Sequence, residues 1–130
     1  MIGLDTNVLI RYFTQDDKRQ AGLANDVIDG LTESDPGHVT LIALAEIWWV
    51  LRGAYETDRE AVTEIFNGLL DSKEIVVEHA ETVRRALHRI GRGADFADSL
   101  IRERGVDAGC ARTITFDEKA AQRAGMELLA

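Results

Sequence analysis

Five acids stand where they could do chemistry. Asp5 ends the short apolar run MIGL, and Asp117 ends RTITF (112–116). Glu46 lies inside LIALAEIWWVL (41–51), whose other ten residues are apolar. Asp95 and Asp98 are spaced i, i+3 in DFADSLI (95–101) and share one face of a helical turn. A carboxylate withdrawn from water must be paired, protonated or bound to a cation. Carboxylates gathered together repel unless neutralised. Each acid also has an ordinary explanation. Asp5, Asp95 and Asp117 could cap the helix that follows. Asp98 could pair with Arg102 at i+4. Glu46 could form a salt bridge or sit at the edge of the core. Capping does not account for Glu46, which falls within a helix, nor for strand-end acids at both ends of the chain. The donors are hard oxygens, and His38, His79 and His88 are scattered, so Mg²⁺ or Mn²⁺ is favoured over zinc. A cation held this way activates water and polarises a phosphoryl oxygen, the chemistry of phosphodiester hydrolysis.

The elements that must position these acids follow from periodicity. Residues 1–4 read as a buried strand and Thr6 to Tyr12 as a helix. A second, amphipathic helix covers 16–31, with Leu23, Val27 and Leu31 four apart. After the turn SDPG (34–37), residues 38–42 read as a strand leading into the Glu46 helix. There Leu44, Ile47, Trp48 and Leu51 form one apolar stripe, and the helical neighbours of Glu46 are Ile42, Trp49, Val50 and Gly53. So apolar a surround predicts burial on more than one face. Further helices are expected at 58–71, 81–90, 95–104 and 117–125, with GRG (91–93) as a break. In the 81–90 helix Val83, Leu87 and Ile90 point inward. Strands are expected at 74–78, 112–116 and 126–129. Strands and helices alternate, which predicts an α/β fold, a three-layer α/β/α domain with a mainly parallel central sheet. Sites in such sheets form outside the carboxyl ends of the strands, where Asp5, Glu46 and Asp117 fall.

Composition bounds the rest. The length suits a single domain, 1–130. Apolar residues make up 45% and charged residues 29%, the balance of an ordinary globular protein. No apolar run approaches the ~20 residues of a membrane span, and an acid at position 5 leaves no room for a secretory signal. The single cysteine, Cys110, excludes an internal disulfide, fits a reducing cytoplasm and reads as a small buried apolar residue. A net charge of -8 is unusual for a nucleic-acid binder. Yet VRRALHRIGRG (83–93) gathers Arg84, Arg85, His88, Arg89 and Arg92 just before the DFADSLI acids. This patch could hold a phosphate backbone, or it could be a solvated face with Arg84 and Arg85 paired to Glu78 and Glu81.

With these residues in view, the chain resembles the PIN-domain family, and within it the VapC-type toxin ribonucleases. DTNVLIRYF (5–13), LAEIWWVL (44–51), DFADSLI (95–101) and TFDEKAA (115–121) are similar, in order, to the family's four acid-bearing segments. The resemblance implies a Mg²⁺- or Mn²⁺-dependent endoribonuclease, acting on RNA as the toxin of a toxin–antitoxin pair. It implies a homodimer neutralised by a cognate antitoxin, within a larger complex or not. Asp5, Glu46, Asp98 and Asp117 match the acidic set that holds the metal. Asp95 matches a supporting acid, Asn7 a polar group that orients a carboxylate or water, and Thr115 a hydroxyl near the site. Ser99 departs from the family, which often has alanine there.

Other chemistries fit less well. A phosphatase using Asp5 as nucleophile would want a second aspartate two residues on, where Asn7 stands. A receiver-like module needs a lysine that Lys18, Lys73 and Lys119 do not obviously supply. A non-catalytic RNA- or protein-binding module with structural acids is the alternative from another class.

Overall fold

A computed structural model of the chain describes residues 1–130. The chain divides into two compact units, Met1–Glu78 and His79–Ala130.

The first unit is a three-stranded parallel sheet with paired helical crossovers. Strand β1 (Ile2–Gly3) leads to helices α1 (Thr6–Thr14) and α2 (Lys18–Asp29), then to β2 (Gly37–Val39). Helices α3 (Leu41–Gly53) and α4 (Arg59–Asp71) follow, and β3 (Ile75–Val77) ends the unit. The order is β1-β2-β3, with Gly3 opposite His38 and His38 opposite Val76. Parallel neighbours cannot be joined by a tight turn, so each crossover carries helices. Gly37 lies close to the core: a Cβ there would come 2.7 Å from a Leu4 methyl and 2.9 Å from one of Leu31, so both leucines would have to shift.

Helix α3 buries Ala43, Leu44, Ile47, Trp48 and Leu51, with Trp48 tilted against Phe66 of α4. Its start is fixed twice. The Thr40 hydroxyl accepts the Ala43 N–H at 3.1 Å, and the Glu78 carboxylate accepts the Leu41 N–H at 2.9 Å. That cap ends the expected 38–42 strand at Val39, and Leu41 and Ile42 join the first helical turn. Burial on more than one face is not found. Ile42 and Trp49 are 73% and 77% exposed. Glu46 lies on the same outer face, because residues 42, 46 and 49 recur at helical spacing. Of the stripe expected of α2, only Leu31, just past its end, is buried. The helix buries Ala21 and Ala24, while Leu23 and Val27 stay exposed and line a groove with Val8 of α1. Small side chains let the α1 and α2 backbones approach, and this displaces the bulkier stripe outward.

The second unit is helical with a small sheet. Helix α5 (Ala80–His88) runs into a 3₁₀ turn at Ile90–Arg92, which Gly93 closes with φ +85°. Helix α6 (Phe96–Asp107), strand β4 (Ile114–Thr115), helix α7 (Glu118–Ala124) and strand β5 (Glu127–Leu128) follow. β4 and β5 pair in parallel. Val83, Leu87 and Ile90 are buried, as their spacing requires, and α5 packs on α6. Charges bind the two helices as well. Arg85 pairs with Glu103 at 3.1 Å and with Asp107, which also accepts the Thr82 hydroxyl. Glu103 is 5% exposed and takes a second cation, Arg102, at 2.7 Å. Cys110, expected to be buried, is exposed. It lies past the end of α6, after Gly109, which adopts φ +91°. All strand pairs are parallel, in keeping with the α/β expectation, and no helix is long and apolar enough to cross a membrane.

Candidate functional site

In the first unit Asp5 and Glu46 line one cavity of about 370 Å³, together with Thr6, His38, Thr40 and Ile42. Strand β1 ends just before Asp5, and β2 ends just before Thr40, so parallel pairing brings the two helix starts side by side. The buried Thr6 hydroxyl donates to Glu46 at 3.4 Å. Asp5 occupies the N-cap position of α1 with extended backbone, yet its side chain makes no cap hydrogen bond. Its carboxylate is left for another use. Asn7 is exposed on α1 and lines the α1–α2 groove.

In the second unit three acids influence one another. Asp95 caps α6, accepting the Asp98 N–H at 3.2 Å. Asp117 caps α7, accepting the Lys119 and Ala120 N–H groups at 2.8 and 3.2 Å. The Thr115 hydroxyl accepts the Asp117 N–H at 3.0 Å, which fixes the turn into α7. Desolvation pushes the Asp98 carboxyl above its ordinary value, and the charges of Asp95 and Asp117 push it further. Arg102 does not relieve this, since its guanidinium pairs with Glu103. Beside Asp98, the Ser99 hydroxyl is wholly buried and has no hydrogen-bond partner.

Capping thus accounts for Asp95 and Asp117, and leaves Asp5, Glu46 and Asp98 without such an explanation. Thr6 and His38 are the site residues that sequence reasoning missed. Thr6 could have been noticed as the first helical residue after Asp5. His38 could not, because its place depends on β2 lying next to β1. As the side chains stand, no group of three or more His, Cys, Asp or Glu residues forms a metal centre. The donor chemistry nevertheless fits a hard divalent cation: carboxylate oxygens at Asp5, Glu46, Asp98 and Asp117, and like charges around Asp98 that a cation or a proton would relieve.

The basic segment is placed differently from its simplest alternative. Arg84 does pair with Glu81, at 3.6 Å. Arg85 pairs instead with Glu103 and Asp107, and Glu78 serves as a cap for α3. Arg85, His88, Arg89 and Arg92 line a cavity of about 350 Å³ with Glu103.

Residues 2–126 match the PIN domain, and the chain belongs to that family. PIN domains are generally Mg²⁺-dependent nucleases, often toxins, and the expected α/β PIN-like fold stands on the match and on the parallel strands together. No curated protein matches the chain.

Proposed function

We propose that the chain is a Mg²⁺- or Mn²⁺-dependent endoribonuclease and the toxin of a VapC-type toxin–antitoxin pair, acting in the cytoplasm. The observation that carries the nuclease reading is Asp98, set among like charges while Arg102, four residues on along the same helix, serves Glu103. In this reading Asp5 and Glu46 of the first unit, and Asp98 and Asp117 of the second, are the carboxylates that would serve as ligands of the cation. When bound, it neutralises the carboxylates, polarises a phosphoryl oxygen and acidifies water. A neighbouring carboxylate takes the proton of the attacking water. In-line attack leaves 5′-phosphate and 3′-hydroxyl ends. Asp95 and Thr115 support the acids by fixing the backbone beneath Asp98 and Asp117, and Asn7 orients a carboxylate or water.

Purified protein incubated with total RNA in Mg²⁺, Mn²⁺ or EDTA, beside Asp5→Ala, tests this. Metal-dependent cuts that disappear in Asp5→Ala are expected. No cuts in any metal would favour a second reading, a non-catalytic binding module, which the capping roles of Asp95 and Asp117 support. For partners we propose a homodimer and a cognate antitoxin, alone or in a larger complex. One of them covers the outer face of α3, where Ile42 and Trp49 are exposed while Trp48 belongs to the core. A monomer by light scattering that gains no mass with an antitoxin peptide would count against both.

A further inference from the structure

We propose that the cavity at the end of α5 is a phosphate subsite that grips the backbone of a single RNA strand through Arg89 and Arg92. It deepens the nuclease reading and rests on it.

The cavity, about 350 Å³, is walled by Arg85, His88, Arg89, Arg92 and Glu103. These side chains have unequal duties. Arg85 is compensated by Glu103 and Asp107 and acts as a strut between α5 and α6. Glu103 is buried and held by Arg85 and Arg102. Arg89 and Arg92 are engaged by no carboxylate, in a chain whose net charge is -8. The Arg89 guanidinium lies over Gly125, where a Cβ would come within 2.8 Å of its Cζ. Gly125 is the C-cap of α7, so this places the guanidinium at the negative end of that short helix. Arg92 is exposed at the end of the 3₁₀ turn. His88 adds a donor.

Guanidinium groups presented side by side match phosphate oxygens in a fork geometry. The walls hold no Phe, Tyr or Trp on which a base could stack. Such a site reads backbone and not sequence. Only Gly93 and Ala94 separate Arg92 from Asp95, so the subsite adjoins the start of α6 along the chain. Arg84, paired with Glu81, lies outside the cavity.

Fluorescence anisotropy with a labelled single-stranded RNA 12-mer, in EDTA so that nothing is cut, tests the subsite. Arg89→Gln and Arg92→Gln are each expected to weaken binding about tenfold. Each should lower the slope of log affinity against log salt by about 0.7. Arg84→Gln should change neither. Arg92, being exposed, is the variant free of packing effects. Unchanged affinity and slope in Arg89→Gln and Arg92→Gln overturn the proposal, as does a folded wild-type chain that binds no RNA. Inorganic phosphate, titrated at constant ionic strength, separates the sources. Phosphate binding that needs Arg92 beside RNA binding that does not would make this a small-anion site and overturn the RNA assignment. The two readings fail separately. Arg92-dependent binding without cleavage in any metal sinks the nuclease and keeps the subsite. Metal-dependent cleavage with Arg92-independent binding sinks the subsite alone.

Discussion

Asp5 and Asp117 occupy equivalent places in two different units. Each follows a short parallel strand, each has extended backbone, and each stands at the N-cap of the next helix. Asp117 uses its carboxylate as a cap, holding two backbone N–H groups. Asp5 does not, so the first N–H groups of α1 lack the partner that position normally provides, at a cost of about 1 kcal/mol. One local pattern serves two ends. An acid that can cap and does not is the better candidate for chemistry, and the same logic sets Asp98 apart from Asp95.

The sharpest test of this contrast is Asp5→Asn. Cleavage should fall by at least about 100-fold, the upper end of what loss of a mere supporting group costs a metal site. The melting temperature should barely move, because no cap bond is lost. A variant that melts well below the wild type would show Asp5 to be a structural acid like Asp117 and erase the distinction.

Arg85 probes the second unit from the opposite side, where charge does structural work. Arg85→Ala strips one of two cations from a carboxylate that is almost wholly buried, and it frees Asp107 as well. Leaving a buried carboxylate with one cation in place of two should lower the urea midpoint below that of the wild type. An unchanged midpoint would mean that Arg102 and Arg104 hold Glu103 and Asp107 unaided, and Arg85 would then be free to serve RNA.

Next in size is Asp117 itself. Asp117→Ala should destabilise by about 1 kcal/mol through the lost cap, whereas Asp117→Asn should cost only a few tenths, since Asn caps as well as Asp. Both should reduce cleavage if the charge contributes to cation binding. Full cleavage by Asp117→Asn would assign the residue wholly to capping.

These assignments show what was legible in the sequence. Helix and strand order followed from apolar spacing, since the buried stripes of α3 and α5 recur at i, i+3, i+4 and i+7. Boundaries failed where one polar atom decides them: the Thr40 hydroxyl starts α3 at Leu41 and cuts short a strand that hydrophobicity alone would carry to Ile42. Faces failed where packing is asymmetric. Leu23 and Val27 have the right spacing, but Ala21 and Ala24 allow the closer approach. Glu46 looked buried because its neighbours are apolar, yet Ile42 and Trp49 are exposed beside it. The acids were visible one by one. Which of them cap helices depends on torsion angles and side-chain rotamers that residue type does not encode.

The smallest effect expected is a difference in sign with pH. Asp16, in the first unit, is lowered to about 2, chiefly by the Tyr55 hydroxyl, then by Thr14 and Arg11. Its contribution is present above 3.8, the ordinary value, and is lost as pH falls toward 2. Asp98 runs the other way. Its folded value is raised from 3.8, so the folded state holds the proton more tightly than the unfolded chain. Stability therefore falls as pH rises from 3.8 through the folded value, and the penalty is complete above it. Asp98→Asn should accordingly raise the melting temperature at pH 7 by a few degrees or less, with no gain at pH 3. Mg²⁺ or Mn²⁺ should narrow the gap at pH 7 by stabilising the wild type alone. Asp16→Asn should instead flatten the acid limb between about pH 4 and 2. If Asp98→Asn gains nothing at pH 7, the three acids of the second unit do not crowd one another, and a cation is not needed to relieve them.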